Sequence, residues 1–302
     1  MPTIFTQGAA SAQGYGFGAT GAVPDATRGV FAIGNCTTTR NNYLFSSDCN
    51  STTTASSSGS FGGAAAGNCT RGIFAIGSLT STRDKFTYAT CANTSGASGC
   101  GGSRYGSAAG NSTRGIFANG FRSFAGNTTI RTKYIYACDT SGSATASCIG
   151  SAQGSAAGNS TRGIFALGNC SSTRNKYTYA SDTSGSAAAA SQVSQGGAAT
   201  GNSTRGIFAI GCIGNLSTTR NKYLYACDTS GSATASSPAA RYGTATGNST
   251  RGIFALGCVS FAPSTQRNKY TYACDANASA TSSNANSTYG SATSNGISGV
   301  SR

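Results

Sequence analysis

The chain has 302 residues, and its 21 basic residues stand against only seven acidic ones, for a net charge of +14. It contains no histidine and no tryptophan, so a Ser-His-Asp triad, a histidine-bearing metal site and most general acid–base pairs lack their residues. We therefore expect no enzymatic activity, no metal and no cofactor. The 43 glycines, with 14 phenylalanines, 14 tyrosines and few charges, favour a folded β protein over a disordered chain.

The chain begins with MPTIFTQGAASAQGYG, which lacks the basic and apolar segments of a secretory signal. The longest apolar runs are about five residues, far from the roughly 20 that span a bilayer, so no membrane span is expected. We expect the protein to reach the cell exterior within an assembled particle or by another route. Its 12 cysteines suit an oxidising location.

A repeat with a period of about 45 residues occupies most of the chain. Its anchor is the sequence Thr-Arg-Gly-Val/Ile-Phe-Ala, and the anchor arginines are Arg28, Arg71, Arg114, Arg162, Arg205 and Arg251. A second block, of the type RNKYTYACD, follows each anchor. The similarity between copies within one chain indicates a repeated structural unit.

Each repeat contains four candidate strands. The first is small and bounded by glycine, as in RYGTATG at 241–247, and the second is RGIFAIG, as at 205–211. The third, NKYTYAS at 175–181, places Tyr177 and Tyr179 on one face and Lys176 on the other. The fourth is GSATAS, as at 231–236, and the Gly-Asn-Ser-Thr between the first two predicts a tight turn.

Four short strands in about 45 residues are typical of a β-propeller blade. We therefore predict an all-β, single-domain propeller whose small first strands surround the axis. The second-strand phenylalanines would pack between blades and form the main stabilising series, at about 1.5–3 kcal/mol each. They are Phe31, Phe74, Phe117, Phe165, Phe208 and Phe254.

The two ends of the chain complement each other. The complete repeats lie near 15–60, 61–103, 104–152, 153–194, 195–240 and 241–283. After them comes a further first strand, in TYGSATSNG, while the amino-terminal residues resemble the end of a repeat. We therefore expect a seventh, composite blade made from 284–302 and 1–14, which would protect the sheet edges, with six blades as the alternative.

The unit ARYGTATGNSTRGIFALG at 240–257, followed by RNKYTYACD at 267–275, resembles the Kelch-type propeller blade. It is more closely similar to the repeats of bacteriophage tail proteins. It differs from the Kelch pattern in having Gly211 followed by Cys212 instead of a glycine pair, and in lacking the outer-strand tryptophan. The resemblance implies a propeller fold and a component of a virus particle.

Most basic residues lie in the repeat register, so a propeller would arrange them as rings. Six arginines and five lysines open the third strands and form the candidate polyanion or glycan site: Arg40, Arg83, Arg131, Arg174, Arg220, Arg267, Lys85, Lys133, Lys176, Lys222 and Lys269. Their place at a hairpin mouth suggests exposure, and a positive ring attracts polyanions. The anchor arginines are interpreted as structural, with a second binding ring as the alternative. Aspartates also recur in register and offer some arginines a partner between blades: Asp48, Asp139, Asp182, Asp228 and Asp275.

The Asn-x-Ser/Thr motifs and the cysteines are interpreted structurally. The motifs at Asn111, Asn159, Asn202 and Asn248 are expected to be turns rather than glycosylation sites. Without Cys-x-x-Cys or histidine, a zinc site is not expected. Disulfides Cys91–Cys100 and Cys138–Cys148 and free thiols both remain open. The tyrosines of RNKYTY are expected to pack between blades, which argues against a nucleic-acid surface.

These features predict a non-enzymatic structural or receptor-binding component of a virus particle, most closely a phage tail or tail fibre. Its partners would be other particle proteins and an acidic cell-surface polysaccharide, which repeated weak contacts would bind with avidity. One alternative is an extracellular lectin-like module that binds acidic glycans outside any particle. Another is a Kelch-type protein-interaction adaptor.

Overall fold

The computed structural model describes residues 25–296, and the regular elements of this range are all β-strands. No helix in this range is long and apolar enough to cross a membrane. The main strands form six four-stranded antiparallel sheets. The fold is a β-propeller of four-stranded blades.

The first three blades are named A to C, and their strands run in order from the innermost to the outermost. Blade A consists of Ser291–Ser294, Arg28–Ala32, Arg40–Leu44 and Cys49–Thr53. Blade B consists of Ala64–Gly67, Arg71–Ala75, Arg83–Thr87 and Ala92–Gly96. Blade C consists of Ser107–Gly110, Arg114–Ala118, Arg131–Ile135 and Thr140–Ala144.

Blades D to F repeat the same pattern. Blade D consists of Ser155–Gly158, Arg162–Ala166, Arg174–Thr178 and Thr183–Ala187. Blade E consists of Ala198–Gly201, Arg205–Ala209, Arg220–Leu224 and Thr229–Ala233. Blade F consists of Thr244–Gly247, Arg251–Ala255, Arg267–Thr271 and Ala276–Ala280. The predicted order of strands is confirmed in the five repeats that form blades B to F.

Short extra strands occur in the loops between the second and third strands of blades C, E and F. In blade C, Phe121–Arg122 pairs with Gly126–Asn127. In blade E, Cys212–Ile213 pairs with Asn215–Leu216. In blade F, Cys258–Val259 pairs with both Ala240–Arg241 and Ala262–Pro263. These loops are longer than the seven-residue loops 33–39, 76–82 and 167–173.

The core lies between blades, as the alternation of the strands predicts. In one cluster, Ile116 of blade C packs against Phe165, Leu167 and Tyr177 of blade D, all at most 1% exposed. Tyr177 and Tyr179 lie on one face of their strand, with ring centroids 5.8 Å apart. Each blade buries its isoleucine or valine face against the next blade, whose second-strand phenylalanine and third-strand aromatics fill the interface together.

Ring closure differs from the seven-blade expectation. Ser291–Ser294 pairs with Arg28–Ala32 and is therefore the inner strand of blade A, not of a separate blade. The inner strands contact one another in a closed cycle of the six described blades. Residues 1–14, expected to complete a seventh blade, lie outside the described residues. The tail was predicted correctly as an inner strand but assigned to the wrong partner, because strand pairing is a long-range contact.

A belt of backbone hydrogen bonds surrounds the axis where the inner strands begin. The peptide groups of Gly62, Tyr105, Gln153, Gly196, Tyr242 and Tyr289 take part, and all six residues have positive φ. Tyr289 N donates to Tyr242 O at 2.9 Å, Gly62 N to Tyr289 O at 2.9 Å and Gly196 N to Gln153 O at 2.8 Å. The left-handed conformation turns these N–H and C=O groups along the ring, so that each blade is bonded to the next.

Candidate functional site

The propeller has two faces that carry different chemistry. We call loop face the side on which the inner strands begin. It consists of the loops between second and third strands, 33–39, 76–82, 119–130, 167–173, 210–219 and 256–266, and of the loops between blades, 54–63, 97–106, 145–154, 188–197, 234–243 and 281–290. The opposite side, which carries the Asn-Ser-Thr turns, is the turn face.

The third-strand arginines, expected to form an exposed ring, are buried. All six are only 1–2% exposed. Each guanidinium lies over the second-strand phenylalanine of the next blade, with 4.3 to 4.5 Å between its carbon and the ring centroid. Burial lowers the pKa of Arg174 to about 10, so it keeps its charge at neutral pH. The expectation of exposure is wrong because each arginine bridges two blades.

The hydrogen bonds of these arginines also reach the next blade. Arg174 donates to Asn221 Oδ1 at 3.3 Å and to Ser230 Oγ at 2.9 Å, both in blade E. Arg220 repeats this pattern with Asn268 at 3.2 Å and Asn277 at 2.7 Å. Because stacking occupies one face of each guanidinium and hydrogen bonds occupy its edge, these buried arginines are not accessible to a ligand.

Five of the six anchor arginines are bonded between blades, to backbone carbonyl groups instead of the expected aspartates. Arg114 donates to the carbonyl oxygen of Tyr179 at 3.0 Å, and Arg162 donates to that of Tyr225 at 3.1 Å. Arg28, Arg205 and Arg251 make the equivalent bond to Tyr88, Tyr272 and Phe45. These bonds satisfy carbonyl groups at the ends of the third strands.

The lysines form ion pairs with the repeated aspartates, a role that was expected for arginines. The pairs are Lys85–Asp139, Lys133–Asp182, Lys176–Asp228, Lys222–Asp275 and Lys269–Asp48, each between neighbouring blades. Each of these aspartates also accepts a hydrogen bond from the first tyrosine of its own third strand, as Asp182 does from Tyr177. Burial by itself would raise the pKa of Asp182, but the bonds from Lys133, Tyr177 and Thr145 outweigh it and lower that pKa to about 2.

The interface between blades A and B is the exception. Asn42 takes the place of the lysine, Cys91 that of the aspartate and Phe86 that of the tyrosine. The acidic residue of this interface is Asp84, which is 1% exposed and binds Arg40 at 2.7 Å. The equivalent arginines of the other interfaces bind a neutral side chain at this position. One ion pair has thus been replaced by another at a different depth.

The Asn-Ser-Thr motifs are turns, as expected. Asn111 Oδ1 accepts bonds from the backbone of Thr113 and Arg114, and its Nδ2 donates to Ser160 O of the next blade at 3.1 Å. Asn159, Asn202 and Asn248 accept the same bonds. The side-chain amides are therefore used in holding the turns.

The cysteines are all free in the structure. The two disulfides left open by the sequence are not formed, because Ala92–Gly96 separates Cys91 from Cys100, and Thr140–Ala144 likewise separates Cys138 from Cys148. Among the described residues, no group of three or more metal-ligating side chains comes together.

Three arginines that belong neither to the anchor series nor to the third-strand series lie on the loop face. They are Arg104, Arg122 and Arg241, and the loop-face segments contain no acidic residue. Arg104 lies 4.9 Å from the ring centroids of both Tyr105 and Phe121. Its Nε is buried without a hydrogen-bond partner, as is that of Arg241. No ion pair neutralises them within the described range, so the loop face is positively charged. The sequence signal that could have found them is that they lie outside the two basic series that recur in every repeat.

The axial mouth on this face is aromatic. The rings of Tyr242 and Tyr289 stack with centroids 4.1 Å apart and planes at 22°, and Tyr105 lies 5.2 Å from Tyr289. Burial raises the pKa of Tyr289, and its bond to Tyr242 raises it further, so the Tyr289 hydroxyl stays protonated. Beside these rings is a cavity of about 90 Å³, lined also by Gln153 and Gly196.

The cavity has one polar group without a partner. Gln153 Oε1 is buried and accepts no hydrogen bond. A second cavity of about 60 Å³ continues along the axis and is lined by a ring of alanines, which include Ala108, Ala156 and Ala245. The mouth thus offers hydroxyl donors, one free acceptor and aromatic faces, next to arginines.

Comparison with known proteins supports the fold alone. No family model and no curated protein matches the chain. Among solved structures there are 418 matching chains. One is the structure of YjhT, similar with a TM-score of 0.51 and 13% identity over 64% of this chain and 71% of that one.

Proposed function

We propose that this protein is a non-enzymatic, receptor-binding component of a virus particle, in a phage tail, and that its loop face binds an acidic cell-surface polysaccharide. The observation that carries the proposal is the meeting of Arg104, Arg122 and Arg241 with the tyrosines of the axial mouth on a face without acidic residues. Aromatic faces pack against the C–H groups of sugars, and guanidinium groups bind carboxylates and phosphates.

The assignment to a particle rests on the similarity of the repeats to those of phage tail proteins. In that setting other particle proteins are expected partners, and the virion is the expected location. A lectin-like module outside any particle would use the same loop face. Detection of the protein by mass spectrometry in purified particles distinguishes the two, since the module would be absent from them.

The binding proposal is tested with bacterial polysaccharides at about 50 and 500 mM salt, between which the Debye length falls about threefold. The triple variant R104Q/R122Q/R241Q should bind acidic polysaccharide at least about tenfold more weakly, since each partly exposed pair contributes about 0.5–1 kcal/mol. R104K/R122K/R241K keeps the charge and is the matched control. Salt-independent binding, or equal binding by the glutamine variant, would contradict the proposal.

A further inference from the structure

The exposed large hydrophobic side chains of the described range all lie on the loop face. They are Phe124 at 106% relative exposure, Phe261 at 63%, Ile149 at 44% and Val193 at 39%. The turn face has none of this kind within residues 25–296. The loop face thus carries several separate exposed apolar side chains in addition to its positive charge.

The two phenylalanines occupy the tips of loop-face hairpins. Phe124 lies between Phe121–Arg122 and Gly126–Asn127, and Phe261 lies between Cys258–Val259 and Ala262–Pro263. Blades C and F, which carry them, are opposite each other in the ring. The tips therefore stand on two sides of the axial mouth.

Hairpin folding does not account for a phenylalanine at position 261. Ser260 and Phe261 have φ of 51° and 63°, the two positive values of a tight hairpin turn. Such a turn favours Asn-Gly, and a bulky side chain is disfavoured there. The Phe124 side chain is fully exposed, so it contributes no buried apolar surface to the fold. The turn conformation disfavours Phe261 and the fold gives no reason for Phe124, which together point to a partner that covers them.

Each hairpin pairs its phenylalanine with an arginine. Arg122 is two residues from Phe124, and the Arg241 guanidinium lies 5.3 Å from the Phe261 ring centroid. An acidic polysaccharide would satisfy the arginines and leave the phenylalanines in water. A protein partner is expected to cover one contiguous apolar patch, whereas these side chains are separated by polar loops.

We propose that the loop face docks on an anionic lipid surface, with Phe124 and Phe261 inserted at the level of the headgroups and Arg122 and Arg241 bound to their phosphates. A lipid interface accepts each apolar tip independently and attracts cations near its surface. This inference goes beyond the proposed polysaccharide binding and does not depend on it.

The test is flotation with vesicles of phosphatidylcholine alone and with about 30% phosphatidylglycerol, at about 100 mM salt and without polysaccharide. The native protein should float with the anionic vesicles only. F124S/F261S should partition at least about tenfold more weakly, because two apolar anchors are lost. F124W/F261W is the matched control and should float like the native protein, since tryptophan suits the interface.

Two results would overturn the lipid proposal: no flotation with anionic vesicles, or equal flotation of the serine variant. Measuring polysaccharide binding of the same variants separates this proposal from the previous one. If F124S/F261S loses flotation and still binds polysaccharide, both proposals stand. If it loses polysaccharide binding while flotation is unchanged, the phenylalanines belong to the sugar site and the lipid proposal fails. Both double variants should remain folded with cooperative thermal melts, since Phe124 is fully exposed and Phe261 is 63% exposed.

Discussion

The amide of Tyr289 donates a hydrogen bond to the carbonyl oxygen of Tyr242 at 2.9 Å, and the two rings stack with their centroids 4.1 Å apart. This contact joins blade F to blade A. The inner strand of blade A, Ser291–Ser294, comes from the carboxyl-terminal end of the described range, whereas its other three strands come from the amino-terminal end. A second contact, on the turn face, holds that inner strand within blade A. Asn295 Oδ1 accepts bonds from the amides of Thr27 and Arg28, both at 2.9 Å.

Asn295 completes a turn of the repeated type with residues that are far away in the sequence. N295A should therefore lower the free energy of unfolding by about 1–2 kcal/mol, as removal of a side chain that caps backbone amides does elsewhere. The measurement is urea denaturation followed by tyrosine fluorescence. N286A changes an exposed asparagine in the same segment and should be neutral. Equal effects of the two substitutions would show that the split turn does not hold the ring.

Arg174 should contribute to the stability of the fold. R174L should cost about 3 kcal/mol or more, because it removes the guanidinium that donates to Asn221 and Ser230 and that lies over Phe208. R122L, on the loop face, should change the free energy of unfolding by no more than about 0.5 kcal/mol. Denaturation curves of the two variants decide the matter. A stable R174L protein with weakened glycan binding would restore the arginine ring as a ligand site.

Asp84 should tolerate amidation and not truncation. D84N gives the A–B interface the arginine–asparagine pair found at other interfaces, so we expect a change within about 1 kcal/mol. D84A removes the partner of Arg40 and the acceptor of the Ser57 amide and should cost about 3–5 kcal/mol. Thermal and chemical denaturation measure both. A loss in D84N as large as in D84A would mean that this interface requires the ion pair.

Stability should fall in acid between about pH 4 and pH 2. The folded-state pKa of Asp182 and of Asp275 is lowered to about 2, while an unfolded aspartate titrates near 3.9. The unfolded chain therefore binds protons first as the pH falls, and stability present above pH 4 is lost on approaching pH 2. Unfolding midpoints from pH 7 to pH 2 test this, and D182N should show a smaller loss. A decline that begins above pH 5 would contradict it.

Native alkylation should divide the cysteines by exposure. Nine thiols are exposed, whereas Cys212 and Cys258 are only 7% and 8% exposed. Iodoacetamide followed by peptide mass spectrometry should find these two unmodified until denaturant is added. Modification of Cys212 at the rate of the exposed Cys227 would show that this part of the loop face opens in solution.

Local sequence pattern was enough to predict a large part of this protein. Its period, its four strands per repeat, its Asn-Ser-Thr turns and the burial of its phenylalanines follow from alternation, turn chemistry and repetition. The propeller followed from the same periodicity. The strands and turns are set by neighbours within one repeat, and repetition then places each phenylalanine face against the adjacent blade.

Contacts between blades decide which charged side chains are buried and which stay exposed. Alternation places Arg174 and Lys176 on strand faces, but whether a neighbouring blade covers them depends on contacts more than 40 residues away, such as Arg174 with Asn221. The place of Ser291–Ser294 in blade A was decided in the same way. The three arginines that remain on the loop face are those that the repeat does not explain, because no equivalent partner is supplied for them by the next blade.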